Sequence, residues 1–224
     1  MDTYFEKISI PNNIKHIKID IGLGMYNINS TNWLCNESDL FVFMFDPNTD
    51  SISSSVSSMR NRFNISDNCY TVFPIALSDV DEPATMEFYS MEMDGGTSSL
   101  YKPIGDVLGP VKQISTVPVF SLKHFFDHFP WNRFEYIEYI KIDAQGADFD
   151  IIKSAGSYLK ERVAYITAEA EDSFYENCSN NTADNMEKYL IMQGFIRIQP
   201  PNTKDPTFVN KKFSHLTPYI YQIG

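Results

Sequence analysis

Apolar residues recur along this chain in two periods. Ile14–Gly22, "IKHIKIDIG", and Leu40–Asp46, "LFVFMFD", are β-branched or almost wholly apolar and are bounded by Pro, Asn or Gly. Such runs read as buried strands. "CYTVFPIALSD" from Cys69, "YIEYIKIDA" from Tyr136 and "VAYITAEAE" from Val163 read the same way. Between them, wider spacing predicts helices: "MYNINSTNWL" from Met25, the Ser-rich "SISSSVSSMRNRF" from Ser51, and "SLKHFFDHF" from Ser121. "ADFDIIKSAGSYLKE" from Ala147 reads as one helix. "NTADNMEKYLIMQG" reads as another, with Thr182 and Asp184 as caps and Gly194 as its stop. "FIRIQP" and "PTFVNKKF" predict a closing antiparallel pair, and residues 81–120, which alternate and carry Gly and Pro, predict hairpin strands and a long lid loop. Strands alternating with helices imply an α/β, doubly wound, mostly parallel sheet with right-handed crossovers. No repeat, linker or boundary divides residues 1–224, so one domain is expected, with 81–120 as an insertion over the site.

Composition narrows the function. The chain has 224 residues, 43% hydrophobic and 14% aromatic, enough for a sizeable core. Its formal charge is −11, and the basic pairs Arg60/Arg62 and Lys211/Lys212 are isolated. An acidic chain repels phosphate backbones, so no nucleic-acid partner is expected. Three scattered cysteines form no disulfide framework or zinc spacing. No basic, apolar leader opens the sequence and no run suits a membrane span, so a cytoplasmic, intracellular protein is expected. Asn, Ile, Lys and Tyr usage fits an AT-rich genome, of a microbe or a large DNA virus.

In a doubly wound sheet, ligands bind beyond the carboxyl ends of the strands, near the switch in strand order. The residues just after the expected strands are Asp20, Asp46, Ser78/Asp79, Asp143 and Glu169/Glu171. The motif Ile-Lys-Ile-Asp occurs twice, ending at Asp20 and at Asp143. The two copies read as central strands that each deliver an acid to one edge. "DIGLGMYN" places Gly22 and Gly24 at a turn into a helix, where glycine lets a ligand approach the backbone. An acid at the front of that loop suits a cationic ligand better than a diphosphate. Asp46, about twenty residues on, suits a ribose diol. Together these point to S-adenosylmethionine.

With these motifs in order, the chain resembles the FkbM-type class I methyltransferases. The likeness rests on "IKIDIGLGMYN", "VFMFDPN", "FPIALSD", "DGGTSSL", "TVPVFSLKHFF", "YIKIDAQGADFDIIKSAG", "YITAEAE" and "PTFVNKK". Asp46 and Asp148 stand where the family commonly has Glu, and Gly-Leu-Gly stands where it often has Gly-Ala-Asn. The resemblance implies a Rossmann-like, seven-stranded sheet with a reversed last strand and helices on both faces, S-adenosylmethionine as donor, and O-methylation of a sugar, glycan or natural-product hydroxyl. It implies that Asp20, Gly22 and Gly24 line the methionine portion, that Asp46 holds the ribose, and that Leu23, Asn27 and Pro47 also contact the cofactor. Ala76, Leu77 and Ser78 would border the adenine. Thr97, Ser98, Ser99 and Tyr101 would meet the substrate, and Asp143 would sit beside the methyl group.

A sugar hydroxyl is a weak nucleophile, so a positioned base helps by roughly 10²–10⁴-fold. Asp143 is the first candidate and Glu169, one strand over, the second. Either has a quieter alternative, as a cofactor-binding carboxylate or a substrate hydrogen-bond acceptor. His124 and His128 have metal-ligand spacing on a helix, but also suit a solvated face beside Phe125, Phe126 and Phe129. No spacing demands a metal, and a divalent ion remains compatible with the acids near Asp143. A lipid or polyketide acceptor, and a catalytically silent interaction module, are the competing readings. The retained acids at Asp20, Asp46 and Asp143 argue against the silent module. Charge, and the lack of an aromatic-Pro-Pro motif, argue against a protein or RNA acceptor.

Overall fold

The computed structural model describes residues 4–6, 8–25, 27–200 and 203–216. Its main sheet contains β1 (His16–Ile21), β2 (Leu40–Phe45), β3 (Tyr70–Phe73), β7 (Ile137–Ile142), β8 (Val163–Ala168), β9 (Phe195–Arg197) and β10 (Thr207–Asn210). The order is β3-β2-β1-β7-β8-β10-β9. The first five strands run parallel, and β10 runs antiparallel to both β8 and β9. This is the expected α/β sheet with a reversed last strand. The order turns back between β1 and β7, so the switch point falls between the two Ile-Lys-Ile-Asp strands.

β2 shows why such sequences make such strands. All six of its residues are buried. Phe41, Phe43 and Phe45 enter one core, and Leu40, Val42 and Met44 enter the other. A strand covered on both faces must be apolar at every position. Each buried Phe contributes roughly 1.5–3 kcal/mol of transfer free energy. The first core is closed by α3 (Leu122–Asp127), α4 (Asp148–Ser154), α5 (Ser157–Arg162) and α6 (Ala183–Met192); the second is closed by α1 (Ile28–Asn36) and α2 (Thr49–Asn61). Helices therefore cover both faces. Of the expected first helix, Tyr26 lies outside the described residues.

Two elements differ from the sequence reading. The expected strand from Cys69 is two strands. Pro74, which has no N–H for a ladder, follows β3. β4 (Ala76–Leu77) instead pairs with β6 (Val111–Phe120) in a second sheet, β4-β6-β5, where β5 is Ala84–Met91. The expected helix from Ala147 is also two, because Gly156 takes φ +56° between α4 and α5. β5 and β6 form the antiparallel hairpin expected within 81–120, and their connection carries the loop 95–101 back to the switch point.

The Ser-rich α2 is capped by Asn48, whose side chain accepts from the Asp50 and Ser51 amides. Its serines also hold the glycine turn: Ser55 donates to the Gly24 carbonyl at 3.3 Å, and Ser54 to the Met25 carbonyl at 3.0 Å.

Candidate active site

Beyond the carboxyl ends of β1 and β2 lies a cavity. Its floor is Ile21, Gly22, Gly24, Phe45, Asp46 and Pro47; its far wall is Ile75, Ala76, Leu77 and Phe88. Gly95, Gly96, Ser98 and Leu100 roof it, and Asp143, Ala144, Ala147 and Ile151 close the remaining side. A second, polar trough lies on the β8–β10 side. Asn29, Tyr139, Lys141, Thr167, Glu169, Gln199, Asp205 and Thr207 line it, together with Asp143. Asp143 is the acid shared by the cavity and the trough.

Of the residues named from the sequence, Gly22, Gly24, Asp46, Pro47, Ala76, Leu77, Ser98 and Asp143 thus meet at one cavity. The others stand around it. Asp20 is buried and accepts from the Ser30 amide and hydroxyl, which fixes the first turn of α1. The Leu23 side chain packs in the second core, while its amide donates to Asp46 at 2.9 Å. Asn27, at φ +41°, is the N-terminal cap position of α1, and its amide lies against Met44 and Met59. Ser78 is buried, its N–H bonded to the Phe120 carbonyl. The hydroxyls of Thr97, Ser99 and Tyr101 donate to the Asp94 carbonyl, the Gln145 carbonyl and Asp150 respectively; Ser98 accepts from the Met91 amide. The roof is thus tied down by the same polar groups that the sequence suggested would face a substrate.

Gly22 has a use the sequence did not reveal. At φ +78°, a Cβ there would lie 1.8 Å from the Asp143 carbonyl oxygen. Only glycine lets the turns after β1 and β7 meet this closely. Lys141 was missed altogether. It is half-buried, and its ammonium donates to the Gly22 carbonyl at 3.2 Å and to Asp143 at 3.1 Å, and lies 3.9 Å from Asp20. Gln145 was missed too: its Nε2 donates to Asp143 at 2.7 Å and to Glu169 at 2.6 Å. Both stand inside the quoted "YIKIDAQGAD", so a signal existed. Phe88 and Tyr175 had none.

The carboxyls respond to these surroundings. Burial pushes Asp46 up to about 6, against the two amides it accepts from, Asn48 and Leu23. Burial also pushes Glu169 up, as does the neighbouring Asp143 charge, to about 7, despite Lys204 at 2.6 Å. At Asp143 burial is outweighed by the Lys141 ammonium and the Gln145 amide, and the net direction is downward. Asp148 is fully buried and lies at about 7, raised by burial and then by Asp143. Two nearby carboxyls are therefore set apart, one held charged and one protonated near neutrality.

His16, Glu37 and Glu138 come together at the opposite, amino-terminal edge of the sheet. The buried Lys18 ammonium already bonds both Glu37 oxygens, at 2.6 and 2.8 Å. His128 bonds the His124 carbonyl one turn back, as a helix-face pair does.

The profile of the Methyltransferase FkbM domain matches residues 23–197. The chain belongs to the FkbM methyltransferase family. Its members are class I, S-adenosylmethionine-dependent methyltransferases, and the sheet order described above is the fold that membership implies. No curated protein matches the chain by sequence. Among solved structures, it is similar to the N-terminal domain of human METTL16 in complex with SAH, at 12% identity and TM-score 0.43, over 86% of this chain and 60% of that one. It is similar to a human methyltransferase 10 domain containing protein at 11% identity and TM-score 0.44, over 91% and 75%. The methyltransferase domain of bacterial CtHen1-C gives 11% identity and TM-score 0.42, over 88% and 90%. The chain thus spans 60% of the length of the METTL16 domain it matches. Among the described residues, no helix is long and apolar enough to cross a membrane.

The cavity suits the family's donor. Its wall of Ile75, Leu77 and Phe88 is apolar and fits a flat adenine ring. Asp46 offers a buried carboxylate to a diol, Gly22 and Gly24 expose backbone, and Asp143 offers negative charge to a cation.

Proposed function

We propose that this FkbM-family protein works as a single methyltransferase domain that O-methylates a hydroxyl of a sugar or glycan. The observation that carries this reading is the position of Asp143, which stands in the wall between an apolar cavity fit for the donor and a trough lined by hydroxyls, amides and carboxyls. S-adenosylmethionine, when bound, supplies a methyl group activated by its positive sulfur.

Asp46 would hold the ribose hydroxyls, Ile75, Ala76, Leu77 and Phe88 the adenine, and the Gly22–Gly24 backbone the amino-acid end. Asp20, Leu23 and Asn27 act indirectly, by shaping that turn. The loop over the cavity, with Ser98, excludes water. Asp143 stays ionised and faces the positive end of the donor. Glu169 is the group whose proton leaves near neutral pH, so the base role passes to it from Asp143. A general base works best when its pKa lies near the working pH. The acceptor hydroxyl, lying in the trough beside the two carboxyls that Gln145 joins, would give its proton to Glu169 as its oxygen takes the methyl from the sulfur. Before the transfer, the Lys204 ammonium, 2.6 Å away, would favour the ionised Glu169 that accepts this proton.

The trough favours a polar acceptor over a lipid. Thr167 bridges the Tyr139 hydroxyl at 2.6 Å and the Thr207 hydroxyl at 2.7 Å, and the Thr207 amide meets Gln199 at 2.9 Å. A polyol can hydrogen-bond to the carboxyls of such a surface, whereas an acyl chain would take water from Asp143, Glu169 and Asp205 and return no bond. Asp143, Glu169 and Asp205 also disfavour a phosphorylated acceptor.

Calorimetric titration with S-adenosylhomocysteine, with and without Mg²⁺, tests the donor site. Micromolar binding is expected. A screen of free sugars and methyl glycosides with labelled donor then tests the acceptor class. Transfer to an oligoribonucleotide and to no sugar would overturn the sugar reading.

A further inference from the structure

Gln145 occupies an unusual place. It follows Asp143 by two residues and holds φ +52°, the left-handed region, which costs a side chain-bearing residue roughly 1–2 kcal/mol. Such strain persists where the surroundings impose it. Here they do. The Gln145 carbonyl accepts from the Ser99 hydroxyl at 2.7 Å, and its Oε1 accepts from the Tyr175 hydroxyl at 3.0 Å. The Tyr175 oxygen also lies 2.8 Å from the Thr97 carbonyl. Both contacts lead to the roof, residues 97–101. With Oε1 fixed by a hydroxyl donor, Nε2 must point the other way, at Asp143 and Glu169.

We propose that Gln145 is a positioning residue that clamps Asp143 and Glu169 into one pair and is itself set by the roof, through Ser99 and Tyr175. This rests on the O-methyltransferase reading given above, and extends it to how the site is gated. A roof seated over the donor fixes the amide. The amide then fixes where the acceptor's proton goes. A lifted roof releases Gln145 and leaves the two carboxyls to repel one another. Lys141 and Lys204 face the pair from β7 and from the loop before β10, and Asp20 on β1, Asp148, Asp205 and Tyr175 are further titratable groups around it.

The test uses ligand-free protein with ¹³C-labelled Glu and Asp carboxyls, the Glu169 signal being assigned with Glu169→Gln. Gln145→Met keeps the length of the side chain and removes the amide. The Glu169 midpoint should then rise by roughly one pH unit, since two bonds to the charged forms are gone. Amide exchange at 97–101 should quicken about tenfold, while exchange in the main-sheet strands stays unchanged. Tyr175→Phe should quicken the same roof amides and move the midpoint in the same direction. It decides the matter if Gln145→Met does not fold. An unmoved midpoint, or unmoved roof exchange, overturns the clamp. Neither readout needs the donor, so failure of S-adenosylhomocysteine to bind would sink the methyltransferase reading while leaving the clamp to stand or fall separately.

Discussion

Lys141 lies beside Asp20 on the neighbouring parallel strand, with its Nζ 3.9 Å from Oδ1. The two Ile-Lys-Ile-Asp copies meet in this pair. In β1 the isoleucines, Ile17 and Ile19, enter the first core, and alternation sends Lys18 and Asp20 to the opposite face. The register sets Asp20 against Lys141, so the acid of one copy faces the base of the other. Lys141 also bonds Asp143, and it is the cation that both switch-point acids share.

Lys141→Met should therefore leave two acids without their cation, one of them fully buried. Removing one partner of such a group costs about 3–5 kcal/mol. Urea denaturation should show a loss of that size. The Asp143 carboxyl should move upward at the same time. A loss under 1 kcal/mol would mean that Asp20 draws its stability from Ser30 alone.

The two glycines of the first turn should respond differently to alanine. At Gly22 the new Cβ would meet the Asp143 carbonyl oxygen at 1.8 Å, so the turns after β1 and β7 must part. Gly22→Ala should cost well beyond the roughly 1–2 kcal/mol of left-handed strain. Thermal unfolding should show the switch point disrupted. At Gly24, φ +58°, the nearest atom to a Cβ is the Gly96 Cα at 3.9 Å. Gly24→Ala should cost the strain alone, and should weaken S-adenosylhomocysteine because the methyl group stands in the cavity. Equal unfolding losses for the two variants would contradict this division.

Asp46→Asn tests the ribose contact. The amide keeps an acceptor for one of the two backbone donors, so the turn should survive. Loss of a charge-assisted bond is worth about 1.5–3 kcal/mol. Calorimetry should show affinity for S-adenosylhomocysteine falling at least tenfold, while the backbone donor left facing the new amide should cost the free protein about 1–3 kcal/mol. Unchanged affinity would move the ribose elsewhere in the cavity.

Much of this was legible in the sequence, and the reasons differ by residue. Strand identity was plain at β2, because a strand buried on both faces has no polar position to blur it. That Asp46 and Asp143 meet at one cavity was legible because residues just after parallel strands gather at one edge of the sheet. Element ends were less so. Pro74 and Gly156 each divide one expected element in two, and both act through backbone geometry that an apolar pattern does not register. The hydrogen bonds that Thr97, Ser99 and Tyr101 make within the protein were not legible. A hydroxyl in a Gly-rich loop looks the same whether it bonds a ligand or the carbonyl that closes its own loop. Lys141 was hidden because a single lysine in an apolar strand does not name its partner, until the register sets it against Asp20.

The pH dependence of stability follows from the buried acids. Asp46 at about 6, and Asp148 and Glu169 at about 7, all lie above their ordinary values, chiefly through burial. Each binds its proton more tightly in the folded protein than in the unfolded chain, so stability should fall as pH rises from about 4 to about 7. His16 is also raised: its Glu138 bond and the charges of Glu138, Glu37 and Asp39 outweigh burial. Its contribution is lost as pH rises beyond 6.5, which adds in the same direction. Asp39 and Asp143 are lowered and act only as pH falls below about 4. The melting temperature should thus be higher at pH 5 than at pH 8. Each 1 kcal/mol moves it by roughly 2–4 °C in a chain of this size. Asp148 accepts from the Ala144 amide through one oxygen and leaves the other without a partner, so its ionised form has little to hold it. Asp148→Asn keeps that acceptor and removes the charge. It should raise the melting temperature at pH 8 and change it little at pH 5. An equal effect at both values would show that Asp148 ionises as freely in the folded protein as in the unfolded chain.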